Sequence, residues 1–328
     1  MQIYSHGVIK FYAIINLSIM NKKKLNVLSL FDGIGCSKLA LSKCKNINVN
    51  KYFYSEIDKN CINLTKKKFP NDIFLGPLED IQLNKLPKID LLIGGSPCQD
   101  LSNAHKGKGL KGIRSSLFYK FVQIKKKLKP KYFLLENVRS KWSKIMDEEM
   151  GVHGVEFNSM YLSGQYRPRV YWTNIDFERL NYDQKKIYIK DILEKNSDPK
   201  YYFNINIKKI KNNNVSNSKN NIKKLFLIPR NLHKDNERQR RVYDIKSKSP
   251  TLLARSDTPK ILINNSIRKL TPLECERLQG LPDNYTKNFS NTTRYKMIGN
   301  GFTVQVIRHI LSSIGKTKLK QKPLSLFN

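Results

Sequence analysis

The chain has 328 residues, enough for one large and one small domain. Lysine and arginine number 61 against 26 aspartates and glutamates, a formal net charge of +35 at pH 7. That excess suits a polyanionic partner bound with counterion release, although AT-rich coding alone also inflates lysine and asparagine. The five cysteines (Cys36, Cys44, Cys61, Cys98, Cys275) are scattered, odd in number and without a CxxC pair. They point away from a disulfide framework and from a zinc site, and fit a reducing intracellular compartment such as the cytoplasm or nucleoid.

The apolar stretch from Val8 to Met20 is broken by Lys10, Tyr12 and Asn16. It is too short for a membrane span, and nothing frames it as a signal peptide. Residues 1–24 therefore read as a disordered N-terminal extension, with no membrane partner expected.

From residue 25 apolar strands alternate with helical segments. Strands are expected at 25–31, 51–55, 73–75, 90–93 and 132–135, with helices at 37–44 and 116–128 between them. That rhythm implies a parallel sheet covered by helices on both faces. Residues 178–224 are rich in Lys, Asn, Asp and Ile and read as a linker or an irregular second domain with a flexible insert. A helix returns at Pro272–Leu278, with Thr271 as its N-cap, Pro272 at the first helical position and Glu274 three residues after the cap. Another is expected at 303–314.

Five blocks carry candidate chemistry. Phe31-Asp32-Gly33-Ile34-Gly35 joins the first strand to a helix, and its glycines allow a tight turn and close approach by a nucleotide-like ligand. Glu56-Ile57-Asp58 ends the second strand, where a carboxylate is placed to bind ribose hydroxyls. A plain strand–turn–helix is the alternative, and no triple-glycine dinucleotide signature is present.

Gly94-Gly95-Ser96-Pro97-Cys98-Gln99 leaves the sheet at the end of the fourth strand, which makes Cys98 a nucleophile candidate or a buried structural cysteine. Glu136-Asn137-Val138 ends the fifth strand on the same rim. A carboxylate raises a neighbouring thiol's pKa, so Glu136 makes better sense as a partner of an attacked heterocycle, or else as part of a helix cap. In Gln165-Tyr166-Arg167-Pro168-Arg169 the two arginines point to one side of an extended segment, suited to a phosphate or a developing negative charge, or to a solvated edge strand.

In this order the blocks resemble the DNA cytosine-5 methyltransferase family, in its compact phage and bacterial form. The late helix Arg268–Gly280 and the closing block Ile298-Gly299-Asn300-Gly301-Phe302 add to the resemblance, which spans about residues 25–177 and 240–312. Three departures stand out. Gly301 occupies a position usually held by serine. Gly76-Pro77-Leu78-Glu79-Asp80-Ile81 has an acid but not the usual Gly-Asp spacing, and residues 178–240 are short and compositionally biased.

The resemblance implies a Rossmann-like α/β methyltransferase fold dependent on S-adenosylmethionine, with a small irregular target-recognition domain. The catalytic domain would cover 25–177, the recognition region 178–267, a returning catalytic part 268–315 and a basic tail 316–328. It implies methyl transfer to C5 of a cytosine flipped out of double-stranded DNA at a short specific sequence, within a restriction–modification setting, by a monomer without a metal. Cys98 would add to C6, with Glu136, Arg169 and Arg167 as the other catalytic residues and Gln99 in support. Phe31, Gly33, Gly35, Glu56, Ile57, Asp80, Pro97, Leu117 and Asn300 would hold the cofactor. The basic stretches Arg238–Arg241 and Lys248–Arg255 would run along DNA phosphates. An RNA (tRNA) cytosine-5 methyltransferase would carry a Cys-Phe-Thr signature, which the chain lacks. A catalytically inactive DNA-binding relative is the other alternative, against which the intact Cys98, Glu136 and Arg169 weigh.

Overall fold

The computed structural model describes residues 22–97, 116–207, 210 and 221–316. Strand β1 (Lys23–Leu30) is buried over its second half and alternates between two apolar clusters. Leu25 and Val27 enter one cluster, while Leu28 and Leu30 enter the other. Strands buried on both faces are the mark of a parallel sheet under helices on each side.

That sheet has seven strands. Beside β1 lie β2 (Ile47–Ser55), β3 (Ile73–Phe74), β4 (Leu91–Gly94), β5 (Tyr132–Asn137), β6 (Val155–Asn158) and β7 (Pro168–Thr173), in the order β3-β2-β1-β4-β5-β7-β6. The pairs β1–β2, β2–β3, β1–β4 and β4–β5 are parallel. Helices α1 (Cys36–Ser42) and α2 (Lys59–Lys68) pack on the first face, α3 (Ser116–Leu128) and α4 (Ser143–Met150) on the second. The expected alternating architecture is therefore present. The strand order reverses between β1 and β4, the switch point beside which open α/β sheets hold their ligands.

The segment carrying both arginines brings a difference. Strand β7 runs antiparallel to β5, and β6 antiparallel to β7, so the sheet ends in a reversed pair. Trp172 is wholly buried there and donates to Asp147 Oδ1 at 2.6 Å.

Residues 202–269 form a second sheet that composition did not signal. Its strands are β8 (Tyr202–Phe203), β9 (Lys224–Leu227), β10 (Arg241–Tyr243), β11 (Lys260–Ile263) and β12 (Ser266–Lys269), ordered β8-β12-β11-β10-β9. A helical turn, α5 (Glu237–Arg240), precedes β10. Asn264 and Asn265, with φ of 47° and 56°, make the tight turn between β11 and β12. The sheet has its own apolar cluster around Phe226, Ile228, Val242 and Ile267.

Helix α6 (Pro272–Gln279) begins as expected, with Thr271 and Glu274 forming a reciprocal cap. Glu274 is fully buried and takes a bidentate pair from Arg268 at 2.8 and 2.6 Å, which ties the small sheet to the helix. Helices α7 (Asn291–Asn300) and α8 (Val304–Leu311) return to the first face of the large sheet; α8 is shorter than expected.

Candidate active site

The turn after β1 is built from left-handed backbone. Phe31, Gly33 and Gly35 have φ of 57°, 61° and 72°. Gly35 also lies against Phe69, whose ring would stand 2.8 Å from a Cβ there. At Gly33, by contrast, a Cβ would meet nothing within 4 Å, so the loop is open on that side. The Gly33 N–H donates to Glu56 Oε2 at 2.8 Å, while Oε1 accepts from the N–H groups of Ile57 and Asp58. Glu56 thus joins the loops that follow β1 and β2.

Beside it Ile57 is 73% exposed, an apolar side chain left uncovered at the rim. Asp80, also exposed, follows β3, with its Oδ2 3.7 Å from where a Gly76 Cβ would stand. A ligand with an adenine face, ribose hydroxyls and a polar tail fits this combination of open glycine, carboxylates and uncovered apolar edge. Phe31 and Leu117 are half-buried on one apolar cluster behind the loop.

Across the switch point, Gly94 pairs with Leu30, and a Cβ there would stand 2.8 Å from the Leu30 carbonyl oxygen. Only glycine permits so close a strand pairing. Gly95 packs on the Phe302 ring, and Glu136 Oε2 lies 3.4 Å from its Cβ position. Glu136 is in turn paired with Arg169, Nε to Oε1 at 2.9 Å, both side chains being mostly buried. Arg169 also donates to the Pro168 carbonyl at 2.8 Å. Asn137 points its amide at Ser96, donating to the backbone oxygen at 3.1 Å and to Oγ at 2.9 Å. Pro97 is the last described residue of this loop; Cys98 and Gln99 lie outside the described residues.

The four described cysteines are buried. Burial pushes the Cys36 thiol up to about 12 and raises Cys44, Cys61 and Cys275 as well. None of these four is prepared as a thiolate.

Arg167 and Arg169 do not share a target, contrary to the expectation from their spacing. The buried Arg167 guanidinium donates to the carbonyls of Leu252 at 2.9 Å, Gly299 at 2.9 Å and Gly301 at 3.3 Å. It joins the β7 approach, the segment after Lys248 and the end of α7. Gln165 and Gln279 form a second buried tie. Gln165 Nε2 donates to Gln279 Oε1 at 3.2 Å, and Gln165 Oε1 accepts from the Leu252 N–H. Gln279 donates to the carbonyls of Ile298 and Gly301. Gly299 lies so close to residues 253–254 that a Cβ would stand 2.2 Å from the Leu253 carbonyl oxygen. Asn300 ends α7 exposed. Lys296 on the same helix reaches Asp58 at 2.9 Å, linking α7 to the loop after β2.

The arginine run differs from its expectation as a phosphate track. Arg240 donates to the carbonyls of Ile228 and Asp235, Arg241 pairs with Glu237 at 2.8 Å, and Gln239 is buried. Lys248 is fully buried on Asp183 at 2.7 Å. Arg238 and Arg255 are exposed and free to face a polyanion geometrically. His233, Asp235 and Asp257 bring one potential metal-ligand atom each within 4.8 Å of the others, but the Lys260 ammonium already sits 2.7 Å from Asp257. Among the described residues no helix is long and apolar enough to cross a membrane.

Compared with known families, residues 25–152 and 156–316 match the model of the C-5 cytosine-specific DNA methylase. The chain belongs to that family. Among curated relatives of this methylase family member, Type II methyltransferase M1.ScrFI of Lactococcus lactis subsp. cremoris is 30% identical over 98% of this chain and 86% of its own. Type II methyltransferase M.HaeII of Haemophilus aegyptius is 30% identical, with 89% of this chain and 93% of its own covered. M.HhaI of Haemophilus parahaemolyticus is 26% identical, over 91% and 96%. Among solved structures, the Entamoeba histolytica methyltransferase EhMeth shares the fold with a TM-score of 0.68 at 17% identity, covering 89% of this chain and 98% of that one. The S. pombe Dnmt2 methyltransferase does so with a TM-score of 0.59 at 16% identity, over 88% and 97%.

In this methylase, then, the fold brings Phe31, Gly33, Glu56, Ile57 and Asp80 to one rim, and Pro97, Glu136 and Arg169 to the adjoining one. Sequence reasoning missed the roles of Asn137, Gln279 and Gly299 as ties between blocks. Each stands inside a quoted motif; what a sequence does not reveal is which carbonyl a buried amide will meet.

Proposed function

We propose that the chain methylates C5 of a cytosine flipped out of double-stranded DNA, at a short specific sequence, using S-adenosylmethionine and acting as a monomer. The observation that carries the reading is the Glu136–Arg169 pair beside Gly95, three residues before Cys98, on the rim next to the open Phe31–Gly35 loop.

Phe31, Gly33, Gly35, Glu56, Ile57 and Asp80 would hold S-adenosylmethionine, with Pro97, Leu117 and Asn300 closing its site. Bound there, it supplies an activated methyl group. Cytosine C5 is a weak nucleophile, so the Cys98 thiolate adds to C6 and pushes the ring electrons toward C5. Glu136 faces N3 and the exocyclic amine and offsets the charge that builds there. Arg169 fixes the Glu136 carboxylate and offsets its negative charge, so that Glu136 does not oppose a thiolate in its vicinity. After C5 has gained the methyl group it loses its proton to a base; the electron pair re-forms the C5–C6 double bond and expels the Cys98 thiolate. Arg167, bound to backbone carbonyls, acts as a positioning residue rather than on the base. The recognition region between 178 and 267 would follow the duplex through exposed cations such as Arg238 and Arg255.

A duplex carrying 5-fluorocytosine tests this route, because fluorine at C5 cannot leave as a proton does. The wild-type chain with S-adenosylmethionine is expected to form a complex with that duplex that survives denaturation, and Cys98→Ala none. An equal yield of trapped complex from Cys98→Ala would rule out the Cys98 adduct.

A further inference from the structure

Asp32 has no part in the steps above, yet it sits inside the cofactor loop between the left-handed Phe31 and the open Gly33. It is 4% exposed. Its N–H donates to the Ser55 carbonyl and its carbonyl accepts from the Gly35 N–H, so its backbone braces the turn. Its Oδ1 accepts from the Tyr52 hydroxyl at 2.7 Å, while Oδ2 is buried without a hydrogen-bond partner. A carboxylate so placed is expensive to ionise, and burial pushes its pKa up to about 7.

The groups facing it come from every element around it. From β1 comes the buried Ser29 hydroxyl, which with Tyr52 favours the ionised form. From β2 and the loop that follows come Tyr52, Tyr54 and Glu56; Asp72 precedes β3, Cys36 and Lys38 lie on α1, and Tyr285 follows α6. The carboxylates of Glu56 and Asp72 both oppose ionisation of Asp32. The Lys38 ammonium lies over the Tyr52 ring but is paired with Asp72, which takes up its charge. Cys36, Tyr52, Tyr54 and Tyr285 are all held neutral, their pKa values raised by burial. The loop therefore overlies a buried acid whose charge no cation on the protein directly balances among the described residues.

We infer that Asp32 is a charge-sensing positioning residue, which makes this loop favour the sulfonium form of the methyl donor over the neutral thioether left after transfer. The inference rests on the cofactor reading of the loop. A cation seated on the open side of Gly33 balances the Asp32 carboxylate through low-dielectric protein, so cation binding and loss of the Asp32 proton reinforce each other. Methyl transfer removes the cation. The acid then recovers its proton, and the product loses the advantage its precursor had. At low pH, with Asp32 neutral throughout, the discrimination disappears.

Calorimetric titration of the full chain with S-adenosylmethionine and S-adenosylhomocysteine, without DNA, between pH 6 and 8.5 tests it. In the wild type the ratio of the two affinities is expected to shift toward S-adenosylmethionine roughly fivefold or more as pH rises. In Asp32→Asn that pH dependence vanishes. Tyr52→Phe, which removes a donor supporting the ionised form, moves the midpoint to higher pH and serves if the asparagine variant does not fold. An affinity ratio independent of pH in the wild type, or an unchanged dependence in Asp32→Asn, overturns the inference while leaving the cofactor reading intact. Binding of neither ligand at any pH overturns the cofactor reading and the inference with it.

Discussion

Arg169 Nε lies 2.9 Å from Glu136 Oε1, across the antiparallel junction of β5 and β7. The reversed strand is what makes the meeting possible, because it carries Arg169 back to the rim where β5 ends. Glu136→Gln keeps the shape and removes the charge, and is expected to lower kcat about 10²–10³-fold. Arg169→Ala leaves Glu136 without its partner and should lower kcat comparably. S-adenosylmethionine affinity, measured by calorimetry, should stay within about twofold in both, because neither residue is among those that would hold the cofactor.

Gly299 is a close-approach glycine, with the Leu253 carbonyl 2.2 Å from where a Cβ would stand. The atom in the way is backbone, so it cannot swing aside as a side-chain tip would. Gly299→Ala should lower unfolding free energy by about 1–3 kcal/mol, read as a lower denaturant midpoint at unchanged slope. Gly33→Ala offers a contrast: there a Cβ meets open space and only the φ of 61° is strained. Its stability cost should be smaller and its cofactor affinity the more damaged property.

The sequence made the alternating sheet, the switch-point loops and the late capped helix legible, since each rests on local chemistry. Glycines at Gly33 and Gly35, an apolar run before Gly94, and Thr271 with Glu274 all act within a few residues. The reversed β6–β7 pair was not legible, because Val170-Tyr171-Trp172 is equally apolar in either strand direction. The small sheet was hidden too: lysines and asparagines mask strands of four residues or fewer, although Asn264-Asn265 between Ile263 and Ser266 was a turn signal. Arg167 was misjudged for a different reason. A basic side chain at alternate spacing from Arg169 looks like a second anion ligand until the carbonyls of Leu252, Gly299 and Gly301 arrive from distant segments.

Removing that clamp should be costly. Arg167→Ala takes the guanidinium donor from the Leu252 and Gly299 carbonyls, while Gly301 keeps Gln279, at about 1–3 kcal/mol for each carbonyl left unpaired that water cannot reach. Thermal unfolding should fall by several degrees, and Arg167→Lys should restore only part of it, since one ammonium cannot span acceptors on two segments. A variant as stable as the wild type would show that the clamp is incidental.

Asp32 also predicts how stability depends on pH. Its folded-state pKa is raised from 3.8 to about 7, so between those values the folded chain holds a proton that the unfolded chain releases. Its contribution is therefore greatest at low pH and is lost as pH rises toward 7. Asp32→Asn keeps an acceptor for Tyr52 and removes the buried charge. The variant should be more stable than the cofactor-free wild type at pH 8, by an amount on the order of 1–4 kcal/mol, with the gap closing toward pH 4. A constant difference across that range would show that Asp32 does not titrate as described.

With a formal charge of +35, DNA affinity should fall steeply with salt. Because Arg240, Arg241 and Lys248 are engaged within the protein, neutralising Arg238 or Arg255 should reduce the salt slope more than neutralising any of those three. Filter-binding isotherms at several salt concentrations would read the slopes directly.

The most direct test of the central claim is to incubate the purified chain with S-adenosylmethionine and mixed-sequence duplex DNA, then map 5-methylcytosine at base resolution. Methylation at a short recurring sequence, lost in Cys98→Ala, is the result the account predicts. A folded chain that binds the cofactor yet leaves every cytosine in that DNA unmodified would contradict it.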